Sequence, residues 1–306
     1  MSDLYIGAMG MVSSMNKLKV QSNNVANMET IGYKSDTPTS KVFEEQYRIR
    51  KEKDEPGVLG IDEDQMYIDD VTTSFSEGVF KQTGGQFDFA LHDDSASGDV
   101  SFFTVQKDGE TYYTRNGQFV LDGERHLTTA NGAYVLDENG KQITIPQWTG
   151  GDVGIMADKN GTIFSYNPDN GQKQAIAKLQ LQTVDKEDLG LLEKKFGSFF
   201  QPTTVEKLTR DYGSIQNILN QFDTNVTVKG VFKHKEALQE ALNTGKLNIF
   251  KPFEGQMEKG MLEASNVDMA SEMVKMLEIN REFQMNQKVV STYSRVLEKD
   301  ANEVGR

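Results

Sequence analysis

The sequence predicts a mixed α and β protein in which helices at the two chain ends pair as a coiled coil, with a mainly β body between them. Three patterns carry this prediction: a narrow apolar seam near each end, and a series of turn dipeptides between short β-type runs. The predicted segments are a helix and turn over 1–34, an acidic linker over 35–70, a β-rich body over 71–202, a small α/β insertion over 203–252 and a helical segment over 253–306.

An apolar seam marks the first helix. Its residues alternate four and three positions apart until Ser22 interrupts them, which is the spacing of one narrow helical stripe. This N-terminal seam consists of Leu4, Ala8, Met11, Met15, Leu18 and Val25. Asparagines and a glycine then favour a turn, because both residue types tolerate left-handed backbone. They are Asn23, Asn24, Asn27 and Gly32.

A longer seam with a seven-residue repeat marks the last helix. This C-terminal seam consists of Met269, Met276, Phe283, Val290, Leu297 and Val304, with Met273, Leu277, Tyr293 and Ala301 on the same face. Ser265 or Asn266 is positioned to cap the helix, and Asp268 places a negative charge in its first turn.

The two seams together indicate helix–helix contacts. One amphipathic helix lying on a core would explain either seam alone. Both seams are narrow, however, and a narrow apolar stripe matches another helix better than it matches a broad sheet surface. We therefore predict that the terminal helices pair and that neighbouring copies of the chain complete their contacts.

The stretch between positions 43 and 70 is acidic, with ten Asp and Glu residues against four Lys and Arg residues. Such a run is usually a solvated loop or linker. Calcium binding by Asp62, Glu63 and Asp64 is the alternative. The spacing does not fit an EF-hand, because Tyr67 stands where the loop glycine belongs and Thr73 where the bidentate glutamate belongs.

A meander of β-hairpins is predicted from about 71 to 185. Its turn pairs are Asn116-Gly117, Asp122-Gly123, Asn131-Gly132, Asn139-Gly140, Asn160-Gly161 and Asn170-Gly171. Short runs rich in aromatic and β-branched residues lie between them, and this regular spacing favours a β-sandwich or a small barrel.

The segment from 203 to 250 has a different pattern. Thr203 and Glu206 form a capping-box pair, and apolar residues then step by three and four from Val205 to Phe222. A strand near Val228 and a short helix stopped by Gly245 follow. We predict a small α/β insertion.

Composition limits the partners. The formal net charge is −13, which argues against nucleic acid or an anionic lipid surface as the main partner. We find no apolar stretch of membrane-spanning length and no secretory signal at the first residues.

Residues that could carry chemistry are sparse. The chain has no cysteine, and its three histidines, His92, His126 and His234, stand at no metal-ligand or catalytic spacing. Neither a Walker-type loop nor a nucleophile elbow is present. We therefore predict no catalytic, cofactor-binding or metal-binding residue and no enzymatic activity. A pair of catalytic carboxylates stays open as an alternative.

Three stretches resemble a known family. Near the N-terminus, Asn24 to Lys34 (NVANMETIGYK) is similar to the Asn-Leu-Ala-Asn-x-x-Thr-x-Gly-Phe-Lys segment of the flagellar basal-body rod and hook protein family. In the body, the resemblance covers Gly84 to Leu91 (GGQFDFAL), Phe102-Phe103 and Tyr113 to Phe119 (YTRNGQF). Gly260 to Asp268 (GMLEASNVD) resembles the family's C-terminal helix start, with Glu272, Met273, Val274 and Arg281 following.

This resemblance, and especially the chain length, implies a rod protein of the FlgF/FlgG type. It implies export by the flagellar type III apparatus, polymerisation with copies of itself and with related rod or hook proteins, and localisation in the basal body. We expect the assembly contacts in the seams and the two terminal stretches. The expected residues are Leu4, Met11, Met15, Leu18, Asn24, Ala26, Asn27, Thr30, Gly32, Lys34, Gly260, Glu263, Ser265, Asn266, Val267, Met273, Met276, Arg281, Phe283, Val290 and Leu297.

Two stretches depart from the family pattern. The loop from His92 to Ser101 is longer and more acidic than the family's short turn, and smaller rod proteins have only a short connection where residues 203–250 lie here. These departures leave open which position along the rod the subunit holds. A hook subunit is an alternative. From a different class, a secreted β-domain binding module would use Tyr112, Tyr113 and Trp148 as ligand contacts.

Overall fold

The computed structural model describes residues 2–42, 46–51, 56–62, 66–93, 97–146, 154–166, 173–204 and 247–304. The chain divides into two compact units. The terminal unit comprises Met1–Met28, Ser35–Ser74 and Val267–Arg306, and the body unit comprises Glu29–Lys34 and Phe75–Asn266. Residues 205–246, which carry most of the predicted α/β insertion, lie outside the described residues, as do Trp148 and His234.

The described residues of the terminal unit form two long helices and four strands. Its helices are α1 (Ser2–Ala26) and α2 (Met269–Val304), so a helix is present near each end as predicted. Its strands are β1 (Asp36–Val42), β2 (Gln46–Lys51), β3 (Pro56–Asp62) and β4 (Met66–Thr73). β1 pairs with β4 and β2 pairs with β3, both antiparallel. These pairs lie in the stretch 35–70, for which the composition predicts a linker.

The body unit is mostly β, as predicted. Its strands are β5 (Phe80–Gln82), β6 (Phe89–His92), β7 (Val100–Lys107), β8 (Glu110–Thr114), β9 (Phe119–Leu121), β10 (Leu127–Thr129), β11 (Tyr134–Val135), β12 (Gly154–Ala157), β13 (Thr162–Tyr166), β14 (Lys173–Lys178), β15 (Leu181–Val184), β16 (Leu192–Phe196), β17 (Phe199–Pro202), β18 (Phe250–Pro252), β19 (Gln256–Lys259) and β20 (Met261–Glu263). A short 3-10 helix covers Leu189–Leu191.

Strand β7 is the centre of the main sheet. The described strands of this sheet follow the order β16-β17-β8-β7-β11-β10-β9, and β15 pairs with both β7 and β18. β12, β13 and β14 form a second sheet, whereas β6 pairs with β19 and β5 pairs with β20. The C-terminal strands β19 and β20 therefore return to strands that precede β7 in the chain.

Val100 to Val105 of β7 are all buried. Because successive side chains of a strand point to opposite faces, both faces of β7 are covered. Phe103 and Val105 lie in one apolar cluster with Phe89, Leu127 and Phe199. The opposite face contributes to a second cluster, whose buried members are Val100, Phe102, Val184, Leu191, Leu192, Phe200, Leu247 and Ile249. The body unit thus has a closed core on each side of its main sheet.

Several Asn-Gly turns occur where the sequence predicts them. Gly132, Gly140 and Gly161 have φ angles of 76°, 74° and 90°, which glycine adopts without strain. In the turn between β9 and β10, the left-handed residue is Arg125 (φ 69°) and not Gly123. Asn170-Gly171 lies outside the described residues.

No helix in the described parts of the chain is long and apolar enough to span a membrane.

Candidate assembly site

Stretches that are distant in sequence meet inside the body unit at Glu263. The Lys34 Nζ donates to Glu263 Oε1 and the Arg115 Nε donates to Glu263 Oε2, each at a distance of 2.6 Å. The Gly78 N–H also donates to Oε1, and the Glu263 carbonyl accepts the N–H of Gly32. Because the side chains of Lys34, Arg115 and Glu263 are at most 1% exposed, these bonds form away from solvent. Glu263 therefore joins all three stretches that carry the family resemblance.

Arg115 links this point to strands β6 and β7. Its Nη1 donates to Asp93 Oδ2 over 2.7 Å and to the Ser101 carbonyl over 2.8 Å. Its Nη2 donates to the Leu91 carbonyl over 2.8 Å, and the Ser101 N–H donates back to Asp93. Asp93 was not among the predicted residues, although it opens the long acidic loop noted in the sequence.

Two cations and two carboxylates form this buried cluster, so their formal charges cancel. Burial disfavours ionised Glu263, but the charges of Arg115 and Lys34 outweigh this and lower the pKa of Glu263. Burial raises the pKa of Asp93 and lowers the pKa of Lys34. Loss of one member would leave an uncompensated buried charge, which destabilises more than loss of an exposed pair does.

Lys194 of β16 holds the residue before Lys34. The Lys194 Nζ lies 4.1 Å from the Tyr33 ring centroid, within the range of a cation–π interaction, and donates to the Lys34 carbonyl over 2.6 Å. The Tyr33 carbonyl accepts the N–H of Asn266, whose side chain donates to the Ser76 carbonyl. The N-terminal stretch is thus held from the β body and from the C-terminal stretch.

Two predicted glycines are required by geometry. Gly32 has a φ of +66°, and a Cβ there would lie 2.5 Å from the backbone of Arg115 and of Asn116. Gly260 has a φ of +75°, and its carbonyl accepts the N–H of Thr83 over 2.8 Å. At Gly32 both the conformation and the close approach exclude other residues.

In the terminal unit, Asn24 has the corresponding connecting role. Its Nδ2 donates to the Asp36 carbonyl over 2.8 Å and to Glu272 Oε2 over 3.2 Å, and its Oδ1 accepts the Asp36 N–H over 2.9 Å. Asn24 is fully buried, and Lys275 pairs with the other Glu272 oxygen over 2.7 Å. This single amide therefore connects α1, β1 and α2.

Helices α1 and α2 are antiparallel, because their contacts move backwards along α2 as they advance along α1. A Cβ on Gly7 would lie 2.8 Å from Val290, Lys17 pairs with Glu282 over 3.3 Å, and Asn24 bonds to Glu272.

Small residues line the α1 side of this helix contact. A Cβ on Gly10 would lie 2.6 Å from the Asn286 side chain, and Ser13 and Ser14 are buried. Apolar periodicity does not predict this surface, because its residues are small or polar. The four-and-three spacing of Gly7, Gly10, Ser14, Lys17, Gln21 and Asn24 was the available signal.

Predicted seam residues differ in exposure. On α1, Met15 is 60% exposed, and Met11 and Leu18 are half-buried. On α2, the half-buried residues are Met276, Phe283 and Val290, and the exposed ones are Met273 and Leu297. Every side chain from 291 to 299 is exposed. The side chains of Leu4 and Val304 lie outside the described part of the chain.

The remaining predicted residues occupy turns and surface positions. Asn27 Nδ2 donates to the Asn23 carbonyl over 2.9 Å, which closes the last turn of α1. Half-buried are Thr30, Ser265 and Val267, and exposed are Ala26 and Arg281.

Asp268 caps helix α2. The helix begins at Met269, and Asp268 Oδ1 accepts the N–H of Ala270 over 3.2 Å. Ser265 and Asn266 lie too far before the helix to cap it, so that prediction was wrong. Asn266 instead bonds to Ser76, as described above.

Tyr112 and Tyr113, the described residues of the alternative binding module, have packing partners within the body unit. Among the residues that the structure describes, no group of three or more His, Asp or Glu side chains is placed to hold a metal ion. The Tyr112 ring packs against Phe199 and its hydroxyl donates to Glu110. Tyr113 stacks on Phe250 at 3.9 Å, and burial raises the pKa of Tyr113 to about 12.

Two family models match the chain, and each contains part of the buried cluster. Residues 258–304 match the family described as flagellar basal body rod FlgEFG protein C-terminal, which includes Glu263 and α2. Residues 97–165 match the flagellar hook protein FlgE/F/G D1 domain, which includes Arg115.

In its middle and near its C-terminal end, the chain is therefore similar to flagellar basal-body rod and hook proteins.

Two similar proteins that are named as rod proteins match this chain over nearly its whole length. The flagellar basal-body rod protein FlgG of Bacillus subtilis is 26% identical over 98% of this chain and 97% of its own length. The flagellar basal-body rod protein FlgF of Caulobacter vibrioides is 26% identical over 99% of this chain and 98% of its own length. The flagellar hook protein FlgE of Helicobacter mustelae is 31% identical, but over 44% of this chain and 29% of its own length. The similarity to rod proteins thus covers nearly the whole chain, whereas the similarity to this hook protein covers less than half of it.

Proposed function

We propose that this chain is a structural subunit of the flagellar basal-body rod, and that it polymerises through its terminal helices into the torque-transmitting axial tube. The observation that carries the polymerisation step is the apolar surface that α1 and α2 leave exposed. The rod assignment rests on the similarity to rod proteins over almost the whole chain.

Helix α2 leaves large apolar side chains exposed after it has paired with α1. Leu277 is 61% exposed, Val289 is 44% exposed and Leu297 is 46% exposed. These side chains follow the helix for most of its length, which favours a long helical partner over a small ligand. Covering them would remove apolar area from water, the main favourable term in association.

Helix α1 supports the same proposal. Its small residues face α2, whereas Ile6, Val12 and Met15 are exposed. Each helix therefore keeps exposed apolar side chains after the two have paired. In our proposal, these side chains form coiled-coil contacts with helices of neighbouring subunits, and segments 1–34 and 253–306 are the assembly segments.

The proposed partners are further copies of this chain and related rod or hook proteins. Export through the flagellar type III apparatus is part of the same proposal, and it rests on the family resemblance. We propose the rod over the hook because the hook relative matches less than half of this chain.

Substitution of exposed apolar residues of α2 by glutamate tests polymerisation in the full chain. We expect Leu277→Glu with Leu297→Glu to abolish rod formation, because carboxylates cannot be buried in an apolar helix contact. The matched control is Gln284→Glu with Gln287→Glu, which adds the same charge at exposed polar positions of the same helix. Sedimentation and negative-stain images provide the readout. Polymers that form equally from both variants would contradict the proposal.

A further inference from the structure

Methionines are concentrated in the two terminal helices. Seven of the 13 methionines lie in α1 and α2: Met9, Met11, Met15, Met269, Met273, Met276 and Met285. Four of them are well exposed, with Met15 at 60%, Met269 at 41%, Met273 at 45% and Met285 at 62%. In the body unit, Met156 of β12 is 39% exposed, whereas Met257 of β19 is 2% exposed in the core. Four solvent-exposed thioethers therefore lie on the two helices that we propose for assembly.

The chemistry of this surface follows from its sulfur atoms. A thioether sulfur attacks one oxygen of hydrogen peroxide, the S–O bond forms, and the O–O bond breaks. Sulfur loses two electrons and becomes a sulfoxide. The leaving hydroxide takes the proton of the transferred hydroxyl group, and peroxide is thereby reduced to water. Because the chain contains no cysteine, no thiolate competes for the oxidant.

We propose that Met15, Met269, Met273 and Met285 are oxidation sites through which peroxides stop assembly of this chain. This inference rests on the proposed function, since it assigns these residues to the polymerising surface. Oxidation converts a flexible apolar side chain into a polar one, which disrupts methionine-rich interfaces. Sulfoxide reduction restores the thioether, so the effect is reversible.

Exposure determines which methionines react first. The four helix methionines meet solvent directly, whereas Met257 packs in the core cluster with Leu91 and Phe89. We therefore expect reaction at the helix sites while Met257 in the body core is still unmodified. Polymerisation in turn would cover the four sites, so the monomer is the sensitive form.

The first test treats the full-length monomer with hydrogen peroxide and maps sulfoxides by peptide mass spectrometry. We expect the four helix methionines to oxidise at least about ten-fold faster than Met257. Polymerisation is then followed by sedimentation. We expect the concentration needed for polymerisation to rise about ten-fold after oxidation and to return after treatment with methionine sulfoxide reductases A and B.

Substitution separates this site from general oxidative damage. The variant with Met15→Leu, Met269→Leu, Met273→Leu and Met285→Leu keeps the apolar surface without sulfur, and we expect it to polymerise equally before and after peroxide. Met257→Leu is the matched control and should stay peroxide-sensitive.

Three outcomes would contradict the inference. One is oxidation of all four methionines with unchanged polymerisation, and another is a four-leucine variant as peroxide-sensitive as the wild type. If the untreated wild-type chain does not polymerise, the proposed function fails as well, so the two failures are distinguishable.

Discussion

The body unit and the terminal unit bury different kinds of side chain. In the body unit, aromatic and branched residues of β7 and its neighbours close two apolar clusters. In α1 the buried residues are small or polar, namely Gly7, Ser13, Ser14, Gln21 and Asn24, whereas Ile6, Val12 and Met15 are exposed. The body therefore buries its large apolar side chains in its own core, whereas the helices leave several of theirs exposed.

The two units also differ in the group that joins their segments. Glu263 connects the body segments through buried ionic bonds, and Asn24 connects the terminal segments through neutral and charged hydrogen bonds. Buried ionic bonds are the more costly to break, since the charges left behind are unpaired. This difference gives an order of expected effects for single substitutions.

The largest effect is expected for Glu263→Gln. The variant leaves Lys34 and Arg115 with one buried carboxylate, so we expect the free energy of unfolding of the body to fall by about 3–5 kcal/mol. Urea unfolding followed by circular dichroism measures it. Glu258→Gln, at an exposed position five residues earlier, is the control and should change little. Equal losses in both variants would mean that the buried cluster does not stabilise the body.

The same variant gives a pH dependence. The folded pKa of Glu263 is below its ordinary value of 4.5, so its stabilising effect is present above that value and is lost as the pH falls through it and below. Asp93 has a raised pKa and acts in the opposite sense. The difference between wild type and Glu263→Gln therefore isolates Glu263, and we expect it to shrink in acid.

Next in size is Gly32→Ala. Alanine at this position would have to adopt left-handed backbone, and its Cβ would clash with the backbone of Arg115. We expect the left-handed conformation to lower the free energy of unfolding by roughly 1–3 kcal/mol, and the clash to lower it by a similar amount. Gly109→Ala is the control, because Gly109 has a φ of +83° with nothing within 4 Å. Unfolding of both variants in urea separates the two costs. Identical losses would show that the close approach adds nothing.

For the terminal unit, we expect Asn24→Ala to cost about 1–3 kcal/mol, because it leaves the Asp36 backbone and Glu272 without their buried partner. Hydrogen exchange of the α1 amides should speed up, while the amides of β7 keep their protection. Asn16→Ala, at an exposed position of α1, is the control. Equally faster exchange in β7 would show that the two units are not stabilised separately.

The smallest effect concerns the cap of α2. We expect Asp268→Ala to destabilise the start of the helix by about 1 kcal/mol, because the N–H of Ala270 loses its acceptor. Ser265→Ala should cost less, since Ser265 precedes the cap. Hydrogen exchange at the first turn of α2 compares them. A larger effect at Ser265 would restore the cap predicted from sequence.

Periodicity and turn chemistry predicted the elements of the fold that depend on local sequence. The seams placed α1 and α2, and the Asn-Gly pairs at Gly132, Gly140 and Gly161 placed turns, because both signals act over a few residues. The resemblance drew attention to Lys34 and Glu263, but no local pattern shows that they form a pair.

Residues that act through tertiary contacts escaped prediction. Lys194 is one of two adjacent lysines in β16, and nothing local distinguishes the one that covers Tyr33. Asp93 resembled the other acids of its loop until β6 and Arg115 were placed around it. The small residues of α1 were missed because helix contact through Gly7 and Gly10 depends on close approach, not on hydrophobicity.

The Lys34–Glu263 bond spans 229 positions of the chain. During synthesis from the N-terminus, Lys34 cannot bind the Glu263 carboxylate until most of the polypeptide has left the ribosome. A nascent chain that stops short of Glu263 therefore cannot form the ionic bond that compensates the buried charge of Lys34.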